Sequence, residues 1–119
     1  MLTIKRIYDA PAKEDGYRIL VDRLWPRGIS KDRAHLYRWE KEIAPSTVLR
    51  TEFAHDAEKF TWFKHAYIHE LDRNAATEIF IKGVGALLAR ANVTLLYAAR
   101  DPWMNHAVVL KEYLEKKLH

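Results

Sequence analysis

The chain has 119 residues, 49% of them hydrophobic, 12% aromatic and 30% charged, with no cysteine and a net charge of +4. That much apolar and aromatic material excludes a disordered chain, and the length fits one domain with one real core. The missing cysteine excludes disulfide scaffolds, cysteine-ligated zinc and thiol nucleophiles. No apolar run reaches the ~20 residues of a membrane span, and the opening MLTIKRIYD lacks the apolar stretch of a signal peptide. A cytoplasmic protein is the expectation.

Taken in order, Thr3–Tyr8 alternates loosely and reads as a strand, and Tyr17–Leu24 is a second, richer in β-formers. Pro11 and the Asp15–Gly16 pair between them are turn chemistry. Ser30–Glu42 reads as a weak helix with Leu36, Trp39 and Ile43 on one side. A short helix follows to Phe53, with Ser46 as its N-cap. Asp56 can cap the next, where Phe60, Phe63, Tyr67 and Leu71 fall at helical spacing. Ala76 to Ala91 forms a third amphipathic helix. Val93–Ala98 is a continuous apolar run, the mark of a strand buried on both faces. Asp101–Pro102 is a favoured start for the last helix, which buries Ala107, Leu110 and Leu114. The order argues an α/β fold, a small and mainly parallel sheet flanked by helices in a single domain. The first two strands are joined by a segment short for a parallel crossover, so an antiparallel pair is the alternative.

The charge has a location. Arg18, Arg23, Arg27, Lys31, Arg33 and Arg38 stand against only Asp22 and Asp32 in that stretch, which carries the whole net excess. Such a segment calls for an anionic partner, a small molecule or nucleic acid, or else it is a solvated face. Its aromatic neighbours Tyr17, Trp25, Tyr37 and Trp39 would suit single strands, unless they pack in the core.

In open α/β sheets ligands bind at the carboxyl ends of strands. The second strand runs into Asp22, Arg23, Trp25 and Arg27. The third runs into Tyr97, Asp101, Asn105 and His106. If these strands are parallel neighbours, the groups meet in one crevice. Arg23, Arg27 and a helix start at Asp101 would then make an anion pocket. His106 can exchange protons near neutrality, with Asp22 or Asp101 orienting it or acting as the base. Asn105 and Tyr97 would supply hydrogen bonds. Trp25 would form a wall, and His55 and Asp56 would enter from the helical layer. His65 and His69 share a helix face, but no third ligand is evident, so neither a metal nor another cofactor is expected. Gly83-Val84-Gly85 lacks the rest of a phosphate-loop pattern.

The run Val21-Asp22-Arg23-Leu24-Trp25-Pro26-Arg27-Gly28, followed by Lys31, resembles the signature of YeaO-like proteins, a bacterial domain of unknown function (488). Ile43-Ala44-Pro45-Ser46, Leu49-Arg50, Phe53-Ala54-His55-Asp56, Tyr67, Glu70-Leu71, Val93 to Ala99 and Asn105-His106-Ala107 extend the likeness over essentially the whole chain. The resemblance implies a compact α/β domain and no established activity. In the broader family the third strand carries a Cys and a Glu, and the next helix a Cys-His-Arg. Here those stretches read Tyr97-Ala98-Ala99 and Asn105-His106-Ala107, so a thiol mechanism does not carry over. The family's helix between the first two strands is shortened here, which favours parallel pairing. The sequence thus points to binding, and possible processing, of a phosphate-bearing ligand such as a nucleotide or a nucleic-acid end. The alternative is a non-enzymatic nucleic-acid-binding or protein-interaction module. Oligomeric state is not legible.

Overall fold

The apolar run near the carboxyl end becomes the middle of the sheet. The computed structural model describes residues 1–118. Its strands are β1 (Leu2–Arg6), β2 (Tyr17–Leu20), β3 (Arg38–Trp39) and β4 (Val93–Tyr97). Its helices are α1 (Lys31–Ala34), α2 (Thr47–Phe53), α3 (Phe60–Arg73), α4 (Ala76–Leu88) and α5 (His106–Lys117). The strand order is β1-β4-β2-β3, and every pair is parallel. Leu2 pairs with Val93 on one side of β4, and Tyr17 pairs with Val93 on the other.

β1 and β2 are parallel but not neighbours. The short segment between them still returns the chain to the amino end of the sheet, past β4, and does so without a crossover helix. A single 3-10 turn at Lys13–Asp15 suffices. Gly16 then presses the start of β2 against the start of β4. Its φ is +64°, and a Cβ there would lie 2.1 Å from the Asn92 carbonyl oxygen. Only glycine allows that approach.

The two faces of the sheet are covered differently. On one, Ile19, Val21, Val93, Leu95 and Tyr97 pack against Leu49 and Phe53 of α2, Phe63, Tyr67 and Leu71 of α3, Phe80 and Val84 of α4, and Leu110 and Leu114 of α5. Each such side chain stabilises by about 1.5–3 kcal/mol as an upper estimate. On the other face, Leu20 and Leu96 meet Ile7, Ile29 and Ala34, with Trp25 and Leu36 at the margin. That cover is a loop and one helical turn.

Beside this second core lies a buried ion cluster. Asp15 accepts from Lys5 Nζ, from Arg18 Nη1 and from the Ala12 N–H. Arg18 also donates from Nε and Nη2 to the Ala34 carbonyl. Burial pushes the Asp15 carboxyl up, but the Ala12 amide and the two cations outweigh it and hold the pKa below the usual value.

Three expected elements are corrected. Ser30–Glu42 is not one helix. Ser30 caps a single turn, accepting from the Arg33 amide at 3.1 Å, and His35 at φ +48° ends it. The Tyr37 and Glu40 amides then donate to the Arg18 and Leu20 carbonyls, so the free edge of β2 recruits Arg38–Trp39 as a fourth strand. The second strand stops at Leu20 rather than Leu24, although the Val21 amide still reaches the Leu96 carbonyl at 3.0 Å. The last helix starts at His106, not Asp101. Asp101 Oδ1 accepts from the Trp103 and Met104 amides and closes a tight turn, and Asn105, extended at φ −141°, caps α5 instead. Asp56 caps a 3-10 turn, Ala57–Lys59, that runs directly into α3. Among the described residues no helix is long and apolar enough to cross a membrane.

Candidate functional site

Because β2 and β4 are parallel neighbours, their carboxyl ends open on the same side. Asp22 leaves β2 there, and its Oδ2 accepts from the Ala98 amide just past β4 at 3.0 Å. That bond ties the two strand ends together. His106, the first residue of α5, sits against both. Its Nε2 lies 3.0 Å from the Val21 carbonyl and 2.9 Å from Asp22 Oδ1. A carbonyl only accepts, so Nε2 carries a hydrogen, and that hydrogen points at Val21. The Asp22 contact is off the N–H direction and is electrostatic. Asp22 Oδ1 is therefore buried with no hydrogen bond of its own. Tyr67 meets the imidazole edge-on at 6.4 Å, and its hydroxyl donates to the Ile43 carbonyl. Burial first, then the carboxylates of Glu70 and Asp22, push that phenol well above its ordinary pKa. It stays neutral at physiological pH.

Around this floor lies a cleft of about 780 Å³, a volume typical of small-molecule sites. Asp22, Arg23, Trp25, Arg27, His55, Asp101, Asn105 and His106 all line it, so two strand ends and the helical layer meet as expected. Asp56 and Tyr97 do not line it. Asp56 is spent on its cap, and Tyr97 is buried in the core under the sheet, where burial pushes its phenol up. Arg50 and Arg100 also line the cleft, and sequence reasoning did not single them out as site residues.

The arginines differ in what they already hold. Arg23 donates from Nε to the Pro45 carbonyl at 3.1 Å and from Nη2 to the Ala44 carbonyl at 2.9 Å. It clamps the approach to α2 and keeps Nη1 and one Nη2 hydrogen for a ligand. Arg27, Arg50 and Arg100 make no side-chain hydrogen bond or ion pair among the described residues. The cleft thus carries four guanidiniums against the carboxylates of Asp22 and Asp101. Asn105 is buried, its amide group donating to the Asp101 carbonyl while its oxygen caps α5. Trp25 is half-buried, donating to the Ile29 carbonyl and meeting Trp39 edge-on at 5.4 Å. It is at once cleft wall and core of the second face. Ala54 and His55 both have positive φ, +47° and +58°, a conformation that costs about 1–2 kcal/mol per residue without glycine. The turn that brings His55 to the rim is strained.

The basic segment of the sequence does not form one face. Arg18 is buried on Asp15, Arg23 holds backbone, and Arg38 pairs with Glu40. Only Arg27, Lys31 and Arg33 remain uncommitted, and the cleft draws its other free cations from α2 and from the turn after β4. His65 and His69 are exposed on α3, and among the described residues no group of three His, Asp or Glu side chains gathers to hold a metal ion.

A family model described as "Inactive DUF488-N3 subclade" matches residues 1–119. The uncharacterized protein YeaO of Escherichia coli (strain K12) is 44% identical over 110 residues, 92% of this chain and 93% of that one. The chain belongs to the YeaO-like DUF488 family. Uncharacterized proteins Mb3100c of Mycobacterium bovis and Rv3073c of Mycobacterium tuberculosis are each 39% identical over 111 residues, 93% of this chain and 91% of theirs. No solved structure matches the chain.

Proposed function

We propose that this YeaO-like chain binds a phosphate-bearing ligand, such as a nucleotide or a nucleic-acid end, in the strand-end cleft. One observation carries the reading: Arg27, Arg50 and Arg100 line a single cleft with no protein partner among the described residues. The cleft's guanidiniums outnumber its two carboxylates, Asp22 and Asp101, and an anion balances the excess positive charge. The planar guanidinium forks suit phosphate oxygens two at a time. Arg23 adds its remaining donors, held in place by the two carbonyls it clamps.

His106 and Asp22 form the one acid–base couple on the cleft floor. The subclade's description as inactive supports binding without turnover, with the couple shaping the floor. A thermal-melt titration of wild type, Arg27→Ala and Arg50→Ala tests the reading. The probes are inorganic phosphate and mononucleotides at low and high salt. A ligand at 100 times its Kd adds about 2.7 kcal/mol to stability. The expected result is a salt-tolerant rise in Tm with a mononucleotide, reduced in both variants. No rise with any phosphate compound, or a rise both variants keep, would overturn it.

A further inference from the structure

The cleft is not the only recognition surface at this end of the sheet. Trp103 is 79% exposed. A tryptophan left this open is unusual, because the ring buries more apolar surface than any other side chain. It does not line the cleft, yet it stands two residues from Asp101 and two from Asn105, which both do. Nor is it on a loose loop. Asp101 Oδ1 accepts from the Trp103 amide at 2.8 Å and from the Met104 amide at 3.1 Å. Asn105 Nδ2 donates to the Asp101 carbonyl at 2.8 Å and locks the turn to the start of α5. The indole is thus carried on a stiff turn, and among the described residues no ring or cation packs against it. Arg100, which lines the cleft with no side-chain partner among the described residues, begins the same turn.

The cleft itself is too large for a bare anion. At 780 Å³ it far exceeds the few waters' worth of space, at about 30 Å³ per water, that an inorganic phosphate fills. Tyr8, Trp25 and Phe53 add ring surface to its walls, which suits a nucleoside carrying the phosphate. A cationic cleft followed by an exposed ring matches a phosphate followed by a base, the repeat of a single strand. Of the other exposed tryptophans, Trp39 meets Trp25 edge-on and donates to the Asp22 carbonyl, and Trp62 shares its surroundings with one acid and one base, Glu52 and Lys59.

We infer that recognition extends past the cleft onto Trp103, and that the ligand is a phosphorylated end of single-stranded nucleic acid. The terminal nucleotide enters the cleft and the neighbouring base stacks on the indole. This rests on the anion-cleft reading above and fails separately from it.

The test is an anisotropy titration with a dye-labelled single strand of roughly six nucleotides, within the span of small single-strand sites. One arm carries a 5′ phosphate and another a 3′ phosphate, with a mononucleotide and a blunt duplex as competitors. Wild type, Trp103→Ala, Trp103→Phe and Arg50→Ala are compared. One stacked base predicts that the better single strand binds about tenfold more tightly than the mononucleotide. Trp103→Ala abolishes that advantage and leaves mononucleotide affinity unchanged. Trp103→Phe keeps most of it, and Arg50→Ala weakens both ligands. Equal affinities for strand and mononucleotide in wild type overturn the inference while leaving the cleft reading intact. So does a strand advantage that survives Trp103→Ala, or a duplex that competes as well as the strand. Failure of mononucleotide and strand alike overturns both.

Discussion

Two groups of charges sit at opposite ends of β2 and β4 and are handled in opposite ways. At the amino end, Asp15 is surrounded by Lys5, Arg18 and the Ala12 amide, and the leftover guanidinium donors of Arg18 close on the Ala34 carbonyl. At the carboxyl end, three arginines have no side-chain partner and one carboxylate oxygen of Asp22 is left without a hydrogen bond among the described residues. Residue type does not separate the groups, since both are arginines and aspartates drawn partly from the same short stretch. The environment does. A closed cluster contributes to stability and offers nothing to a ligand, whereas an open one costs some stability and is ready to accept an anion. Arg23 stands between the two, with two donors on backbone carbonyls and the rest left over.

The contrast can be broken by substitution. Arg18→Ala should have the largest effect on stability, because it strips one of two cations from a buried carboxylate and removes the bonds to the Ala34 carbonyl as well. A loss of about 3–5 kcal/mol is expected, read by urea denaturation, with mononucleotide affinity unchanged. A loss below about 1 kcal/mol would show that Lys5 alone satisfies Asp15, and the amino-end cluster would lose its special standing. Arg23→Ala should cost about 1.5–3 kcal/mol, the worth of hydrogen bonds from a charged group, and should also loosen the approach to α2. Arg27→Ala and Arg100→Ala should change stability by less than about 0.5 kcal/mol and yet weaken phosphate binding. If either proved as destabilising as Arg18→Ala, the cleft arginines would be structural and the contrast would vanish.

Acid sharpens the same comparison. The Asp15 pKa is lowered in the folded protein. Its contribution is therefore present above the unfolded value near pH 4 and is lost as pH falls through the lower folded value. Asp15→Asn should flatten that acid limb of a stability-against-pH curve. An unchanged limb would mean that other carboxylates govern acid unfolding.

How much of this was legible depends on whether the deciding interaction was local. Val93–Tyr97 was plain because a strand buried on both faces is apolar throughout. α3 was plain because Phe63, Tyr67 and Leu71 all point one way. The Ser46 cap was plain because a cap is a short-range bond. The edge strand Arg38–Trp39 was not. Leu36, Trp39 and Ile43 carry helical spacing, and only the unpaired edge of β2, far off in sequence, draws that segment out straight. The start of α5 was misplaced because Asp101 and Asn105 are equally good caps, and the Asp101 side chain closes its own turn instead. In the cleft, residues beside strand ends could be found from the strands. Arg50 and Arg100 could not, since what marks them is a shared cleft with no side-chain bond to a partner among the described residues, which a linear reading does not contain.

The position of β4 has a consequence for how the molecule is made. It pairs with β1 across 91 residues of chain and, among the described residues, is the only strand that touches β1. During translation β1 leaves the ribosome before β4 and has no strand to pair with until β4 has followed. Closing so long a loop is slow, and until it closes the hydrogen-bonding edge of β1 is open to other chains. A product truncated before Val93 would lack the strand that joins β1 to β2 and would keep only the short β2–β3 pair. Assembly of this sheet therefore waits on its last strand to be made.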